Sequence, residues 1–295
     1  MRILDENRGR LARRAQQLRL NARTVADGLR QGAFRSVSRG QGIDFSGVRE
    51  YLSGDNVRSI DWNVTARMGK PFVKQYEEDR ELHVLFVLDR SASMLTGSAG
   101  RVRLAAASEA AAVLLFAAEQ NACAVGAVFF DGAIQWACAP KAGRAQVMAL
   151  LSRLDRLDGG GVRGSALASA LNGAGTLLKR RSLVFVLSDF RADGWLQPLA
   201  RLSGKHDVVA VRVTDPCDTE LPAVGTVPFA DSETGERRML PTSSASFRRA
   251  WFEDNRQRTD FWQGECVRHG AYPLALSTAD DTVQVLSRFF SQRSR

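Results

Sequence analysis

The stretch HVLFVLDRSASM, His83 to Met94, decides the fold. Its apolar run is continuous and not alternating, which marks a strand covered on both faces. The run ends in a carboxylate, Asp89, and hydroxyls follow at Ser91 and Ser93. A second run, SLVFVLSDF, ends in Ser188-Asp189. Between them GGGVRGSALASAL, a glycine-rich loop, leads into a helical segment with Ser165 near its start. In doubly wound sheets, ligands bind outside the C-terminal ends of the strands. Three separate loops therefore bring short oxygen side chains to one edge.

Working outward, the pattern alternates strand and helix. RVRLAAASEAAAVLLFAAEQ reads as a long helix, CAVGAVFF as a strand and AIQWAC as its hairpin partner. RAQVMALLSRL and GSALASALNGAGTLLKR read as helices, WLQPLARLS as a short one, and DVVAVRVTD as a further strand. Residues 243–268 read as a helix, YPLALST as a last strand and 280–291 as a closing helix. This is the signature of an α/β fold with a mostly parallel sheet between helical layers. ELPAVGTVPFADSETGERRML lies in a β-hairpin insertion, about 216–242, turning at SETGE. Three regions result: a basic arm over 1–39, a β-rich segment over 40–82, and the α/β domain over 83–295.

The arm reads as a helix over 3–30. Leu4, Leu11, Leu18 and Val25 recur every seventh position, with Ala15, Ala22 and Leu29 four residues after the last three. Such a seam packs on its parent domain or docks onto a partner helix. Ten arginines stand in 1–39 against Asp5, Glu6 and Asp27, so the arm carries most of the net +9. Its charge suits acidic protein, nucleic acid or anionic lipid. Residues 40–82, with glycines between short aromatic and charged pieces, read as strands and turns, with SGDN and RMGKP as turns.

The apolar share of 44% and charged share of 25% are those of a soluble globular chain. No apolar run is long enough to span a bilayer. The charged N-terminus lacks a signal-peptide core. Cys123, Cys138, Cys217 and Cys266 are widely spaced, which fits neither a zinc knuckle nor a disulfide framework. A cytoplasmic protein with reduced thiols is expected.

Asp89, Ser91, Ser93, Ser165 and Asp189 form an all-oxygen set. Such donors select a hard cation, Mg²⁺ first, with Mn²⁺ or Ca²⁺ as alternatives. Two carboxylates and neutral hydroxyls would leave the ion electrophilic, with a position open to a carboxylate of another protein. The bland alternative is that Ser91 or Ser165 only caps a helix.

Asp-x-Ser-x-Ser at the end of the first core strand, with later Ser and Asp loops, resembles the metal-ion-dependent adhesion site of von Willebrand factor type A domains. The resemblance implies that Asp89, Ser91, Ser93, Ser165 and Asp189 occupy the five metal positions. Thr is commoner than Ser at the fourth, and Gly is commoner than Phe190 after Asp189. A second resemblance is more specific. Arg49-Glu50-Tyr51, Gly54-Asp55, Arg58, Ile60-Asp61-Trp62, Ala66-Arg67 and Glu77, with TDPCDTELPAVG, DSETGE and LSTADD downstream, are similar to the signature of the DUF58 family. It covers roughly 35–290. Long members of that family carry N-terminal transmembrane helices. Its genes often lie beside those of MoxR-type AAA+ ATPases, which implies an adaptor or co-chaperone of such a motor. The signature residues Arg49, Tyr51, Asp55, Arg58, Asp61, Trp62 and Arg67 form a structural clamp or a partner surface. In the clamp reading the arginines sit in an enclosed ion-pair network, with Trp62 and Tyr51 filling volume.

Three functions compete. The first is a non-enzymatic, divalent-metal-dependent protein-interaction module. The second is a metal-assisted hydrolase or phosphatase with Asp89 as nucleophile. Phosphatases with a strand-end Asp need a second Asp two residues on, and Ser91 stands there; His83, His206 and His269 make no catalytic pattern, and no G-x-S-x-G is present. The third is a nucleic-acid binder through the arm, which lacks interleaved aromatics for stacking. The chain has no G-x-x-x-x-G-K-[ST] loop and only five lysines, so it is not itself the ATPase.

Overall fold

The computed structural model describes residues 18–19, 22–23, 25–27, 43–52, 54–78, 82–98, 100–156, 161–162, 164–230 and 237–293. The chain divides into two compact units, 38–81 and 1–37 with 82–295.

The larger unit is built on six strands: β3 (His83–Asp89), β4 (Ala124–Phe130), β5 (Ile134–Lys141), β6 (Leu183–Ser188), β7 (Asp207–Thr214) and β10 (Tyr272–Ser277). They lie in the order β10-β7-β6-β3-β4-β5. All neighbours are parallel except β4 and β5, which form the expected antiparallel pair. This is the doubly wound, mostly parallel sheet read from the sequence. Its strand order reverses between β3 and β6, so crossovers leave a crevice at their C-terminal ends.

Side chains alternate across the sheet, because successive residues of a strand point to opposite faces. Val84, Phe86 and Leu88, with Phe185 and Leu187, face one core. It is closed by α2 (Arg103–Gln120), α3 (Arg144–Leu154) and α8 (Thr282–Arg293). Leu85, Val87, Val184, Val186, Val208 and Ala210 face the other. That side is closed by α4 (Leu167–Leu177), α5 (Leu196–Ser203) and α7 (Ala245–Arg268).

Helix α2 is buried on nearly every side, from Arg103 to Ala118. Its alanines allow this: a helix apolar all round is an interior helix. Part of its cover is the N-terminal arm. Leu18, Ala22, Val25 and Ala26 are all buried in the same core. The Gln120 amide donates to Arg19 O at 3.1 Å and the Asn121 amide to Ala26 O at 3.1 Å. The described part of the seam therefore packs on its own domain; Leu4, Leu11, Ala15 and Leu29 lie outside the described residues.

Between β7 and β10 stand the short α6 (Pro216–Thr219), the hairpin β8 (Thr226–Ala230) with β9 (Arg237–Pro241), and α7. The hairpin is where the sequence put it, and its SETGE turn lies outside the described residues. Phe229 packs edge-on against Trp251 of α7, and Trp251 Nε1 donates to Cys217 O at 3.0 Å.

The smaller unit departs from the reading in strands and turns. Strands β1 (Ile43–Glu50) and β2 (Phe72–Glu78) pair antiparallel, but a helix, α1 (Trp62–Met68), lies between them. Asp61 Oδ1 caps it, accepting from Asn63 N at 3.0 Å and Val64 N at 3.2 Å. Gly69, at φ +68, ends it in the left-handed region. An N-capping Asp and a closing Gly are helix signals; the seven-residue span between them was too short to show a period.

The enclosed ion-pair network is also corrected. Arg49 grips Asp55 with two bonds of 2.7 Å, and that contact with the Leu52 N–H holds the Asp55 carboxyl down at about 2. Arg58 and Arg67 are exposed, and Asp61 caps α1. Tyr51 is half-buried, its N–H bonded to Pro71 O at 2.9 Å. Trp62 is 67% exposed, with Leu52, Val57 and Met68 also open.

Two outcomes follow for stability. Leu18→Ala lowers the unfolding free energy by about 2–5 kcal/mol, read by urea denaturation; a loss under about 0.5 kcal/mol would show that the arm does not pack. Trp62→Ala shifts it by less than about 1 kcal/mol, as for an open surface position, whereas a packed ring would cost about 3–5 kcal/mol.

Candidate functional site

Asp89 ends β3 with the parity of Leu85 and Val87, and Ser188 ends β6 with that of Val184 and Val186. Both side chains rise from the same face of adjacent parallel strands and are buried. Ser188 Oγ donates to Asp89 Oδ2 at 2.6 Å and Ser91 N to Asp89 Oδ1 at 2.9 Å. Ser165 Oγ lies at the long distance of 3.4 Å from Asp89 Oδ2. The Ser91 and Ser93 hydroxyls are 3.2 Å apart.

Asp189 is buried beside them. Its Oδ1 accepts Arg191 N at 3.1 Å. Its Oδ2 takes no hydrogen bond, with Arg191 Nε at 3.8 Å. Burial, and then the charge of Asp189, push the Asp89 carboxyl up to about 7 against the hydrogen bonds from Ser188 and Ser91. The structure thus brings Asp89, Ser91, Ser93, Ser165 and Asp189 to one crevice at the point where the strand order reverses. Arg49, Tyr51, Asp55, Arg58, Asp61, Trp62 and Arg67 belong to the other compact unit.

The capping alternative meets a specific test. Ser91 stands at the head of the 3-10 turn Ala92–Leu95 and makes no side-chain capping bond. Helix α4 is headed by Ala166, again with no side-chain cap. Neither serine does what a capping serine does.

Phe190 has φ +54 and so adopts the left-handed turn that Gly would take after Asp189. That conformation costs a bulky residue about 1–3 kcal/mol. It is held by Ser188 Oγ, which accepts Phe190 N at 3.1 Å, and by ring contacts with Trp195 and Trp262 at 5.3 and 5.8 Å.

Sequence reading passed over three supports. Ser188 binds the Asp89 carboxylate directly. Asp131, after β4, accepts from Ala133 N at 3.1 Å, Gln135 Nε2 at 2.8 Å and Val162 N at 3.2 Å, and its carbonyl takes Ala166 N at 2.6 Å. It pins the loop that carries Ser165, and the signal was present: VFFDG is another apolar strand ending in an acid. Asp218 bridges Arg103 at 2.6 Å and Arg191 at 2.7 Å, tying the loop after β6 to the start of α2. Its partners are over a hundred and under thirty residues away, a pairing no local motif announces.

The oxygens suit a hard cation by their chemistry: two buried carboxylates, one with an unbonded oxygen, beside hydroxyls. Among the described residues no group of three or more His, Cys, Asp and Glu is placed to hold a metal. Any ion here would depend on the serines.

Comparison with known proteins follows from this geometry. The family described as "Protein of unknown function DUF58" matches residues 47–260. The chain belongs to the DUF58 family. Among its relatives is Uncharacterized protein Rv1480 of Mycobacterium tuberculosis, 32% identical over 97% of this chain and 90% of the relative. Uncharacterized protein MAV169 of Mycobacterium avium is 34% identical over 46% of this chain and 79% of the relative. A crystal structure of an aerotolerance-related membrane protein from Bacteroides fragilis aligns with TM-score 0.50 and 18% identity, over 72% of this chain and 98% of that one. The SpRpn10 VWA domain aligns with TM-score 0.40 and 14% identity, over 72% and 94%. Among the described residues of this DUF58 chain, no helix is long and apolar enough to cross a membrane.

The raised Asp89 carboxyl has a definite sign. A carboxyl whose folded value lies above its unfolded one stabilises the fold at acid pH, and that contribution is lost as pH rises from about 4 toward 7. In chelator, Asp89→Asn therefore gains stability over the parent at pH 8, by a few kcal/mol at about 1.4 per pK unit, and little at pH 4. Urea midpoints at the two pH values measure this; an equal difference at both would exclude a strained Asp89.

Proposed function

We propose that this chain is a non-enzymatic protein-interaction module whose crevice takes a divalent cation, Mg²⁺ first. One observation carries the reading: two carboxylates, Asp89 and Asp189, are buried together at adjacent strand ends, and Asp189 Oδ2 takes no hydrogen bond. Burying like charges side by side is unfavourable, and a cation between them removes the cost. Asp89 and Asp189 would hold the ion, directly or through water, with Ser91, Ser93 and Ser165 supplying neutral oxygens. The bound ion would supply an electrophilic position for an acidic side chain of a partner.

The protein residues do the rest. Ser188 and Ser91 N orient Asp89, Arg191 N and the Phe190 turn orient Asp189, and Asp131 holds the Ser165 loop. No histidine lies among these contacts, and Ser91 occupies the place of the second acid that an aspartyl phosphatase requires. As a DUF58 member the chain is proposed to work in the cytoplasm as adaptor or co-chaperone of a MoxR-type AAA+ ATPase, presenting the acidic client or the motor at this crevice.

Mg²⁺ at millimolar concentration raises the melting temperature of the parent and not of Asp89→Ala, which still folds in chelator. Capture of a MoxR-type ATPase by the parent is lost in EDTA and in the variant. A melting shift of equal size in the variant, or capture indifferent to chelator, overturns the reading.

A further inference from the structure

Arg212 lies two residues before the end of β7, beside Ser188 in register and on the face that carries Asp89. It is 4% exposed, covered by α7. A guanidinium carries five N–H donors. Among the described residues this one makes a single hydrogen bond, from Nη1 to Thr259 Oγ1 at 2.8 Å, and stands 5.8 Å from the Trp262 ring. No carboxylate among the described residues forms an ion pair with it.

The acids around it bond to other groups, Asp189 Oδ2 excepted. Asp218 Oδ1 receives Arg103 and Arg191, and its Oδ2 receives Asp215 N at 2.8 Å. Asp189 Oδ1 receives Arg191 N. Arg258, one helical turn from Trp262 on α7, pairs among the described residues with the exposed Asp254. Four guanidiniums, of Arg103, Arg191, Arg212 and Arg258, thus face Asp218, Asp189 and, at the exposed end of Arg258, Asp254. Burial pushes the Arg212 value down, with Arg191 and Arg258 adding to it and Asp218 and Asp189 opposing. Arg258 is lowered likewise, by burial and then by Arg191. Arg191 and Arg258 reach solvent while Arg212 lies behind them.

Arg212 keeps donors without a partner among the described residues, and Arg191 and Arg258, paired with Asp218 and Asp254, open outward beside it. We propose that Arg212, Arg191 and Arg258 form a receptor for an oxyanion of a partner protein, a phosphate or a carboxylate group, beside the Asp89–Asp189 crevice. Guanidinium forks match both groups with paired N–H bonds. The receptor needs no metal. It goes beyond the cation reading, sharing with it only the premise that this edge of the sheet meets a partner.

The test uses the full chain in EDTA, at ionic strength held constant with chloride, so that it is blind to the cation. Inorganic phosphate and acetate are titrated separately, with melting temperature and calorimetric heat as readouts. At least one of them binds saturably. Arg258→Gln weakens that binding five-fold or more, and Arg212→Met abolishes it. Asp254→Asn, which frees Arg258, tightens it. Binding of phosphate alone assigns the receptor to a phosphorylated partner, and binding of acetate to an acidic one. If neither anion binds above the chloride control, or if Arg258→Gln binds like the parent, the receptor does not exist. Because Arg258 is exposed, that variant decides the matter even should Arg212→Met fail to fold.

Discussion

Two carboxylates, Asp89 and Asp189, are kept out of water at the ends of neighbouring parallel strands, and much of the surrounding structure is arranged to bear that. Hydrogen bonds from Ser188 and Ser91 favour the charged form of Asp89, while burial and Asp189 oppose it more strongly. The balance is tense by construction. Such clusters of displaced acidity gather where a protein acts more often than where it merely holds together. The same arrangement explains why the loops around the crevice are so heavily tied: a strained pair persists only if the neighbouring backbone cannot relax.

Those ties run through long-range polar contacts. Asp215 accepts from Ser98 N at 2.9 Å and Thr278 Oγ1 at 2.7 Å, joining the loops after β3, β7 and β10. Arg101 reaches Glu109 and Thr282 at 3.0 Å each. Asp218 joins two arginines. These groups are largely buried, and losing one partner of a buried pair costs about 3–5 kcal/mol. A rim stiffened in this way presents its oxygens and guanidiniums in set positions, which lowers the ordering cost of binding. Acids and arginines interleave on that rim: Arg191 stands beside Asp189 after β6, Asp218 after β7 joins Arg103 and Arg191, and Arg212 and Arg258 lie on β7 and α7.

The smaller unit is organised on other lines. Its described residues include one buried apolar side chain, Val73, and its large apolar groups Leu52, Val57, Trp62 and Met68 are open. Its order rests on the β1–β2 ladder, the cap on α1 and the Arg49–Asp55 fork. The DUF58 signature residues thus divide between local structure (Arg49, Asp55, Asp61) and exposed surface (Arg58, Trp62, Arg67).

How much of this was legible beforehand depended on range. The continuous apolar runs of β3, β6 and β7, the alanine-rich α2 and the β4–β5 hairpin were readable, because burial on two faces and helical burial leave their mark on every residue of a segment. Strand-end Asp89 and Asp189 were readable for the same reason, since a carboxylate after such a run has only the sheet's edge to occupy. Helix α1 was missed because seven residues show too little of a period, although its cap and its closing glycine were in view. Trp62 was read either as filling volume in a clamp or as part of a partner surface, and the sequence did not choose between them. What only the tertiary structure decided were the contacts between distant segments: Ser188 on Asp89, Asp131 under Ser165, Asp218 between Arg103 and Arg191, and Arg212 with no ion pair among the described residues. Composition and periodicity report how a residue relates to its own strand or helix, whereas these pairings arise from the order of strands across the sheet.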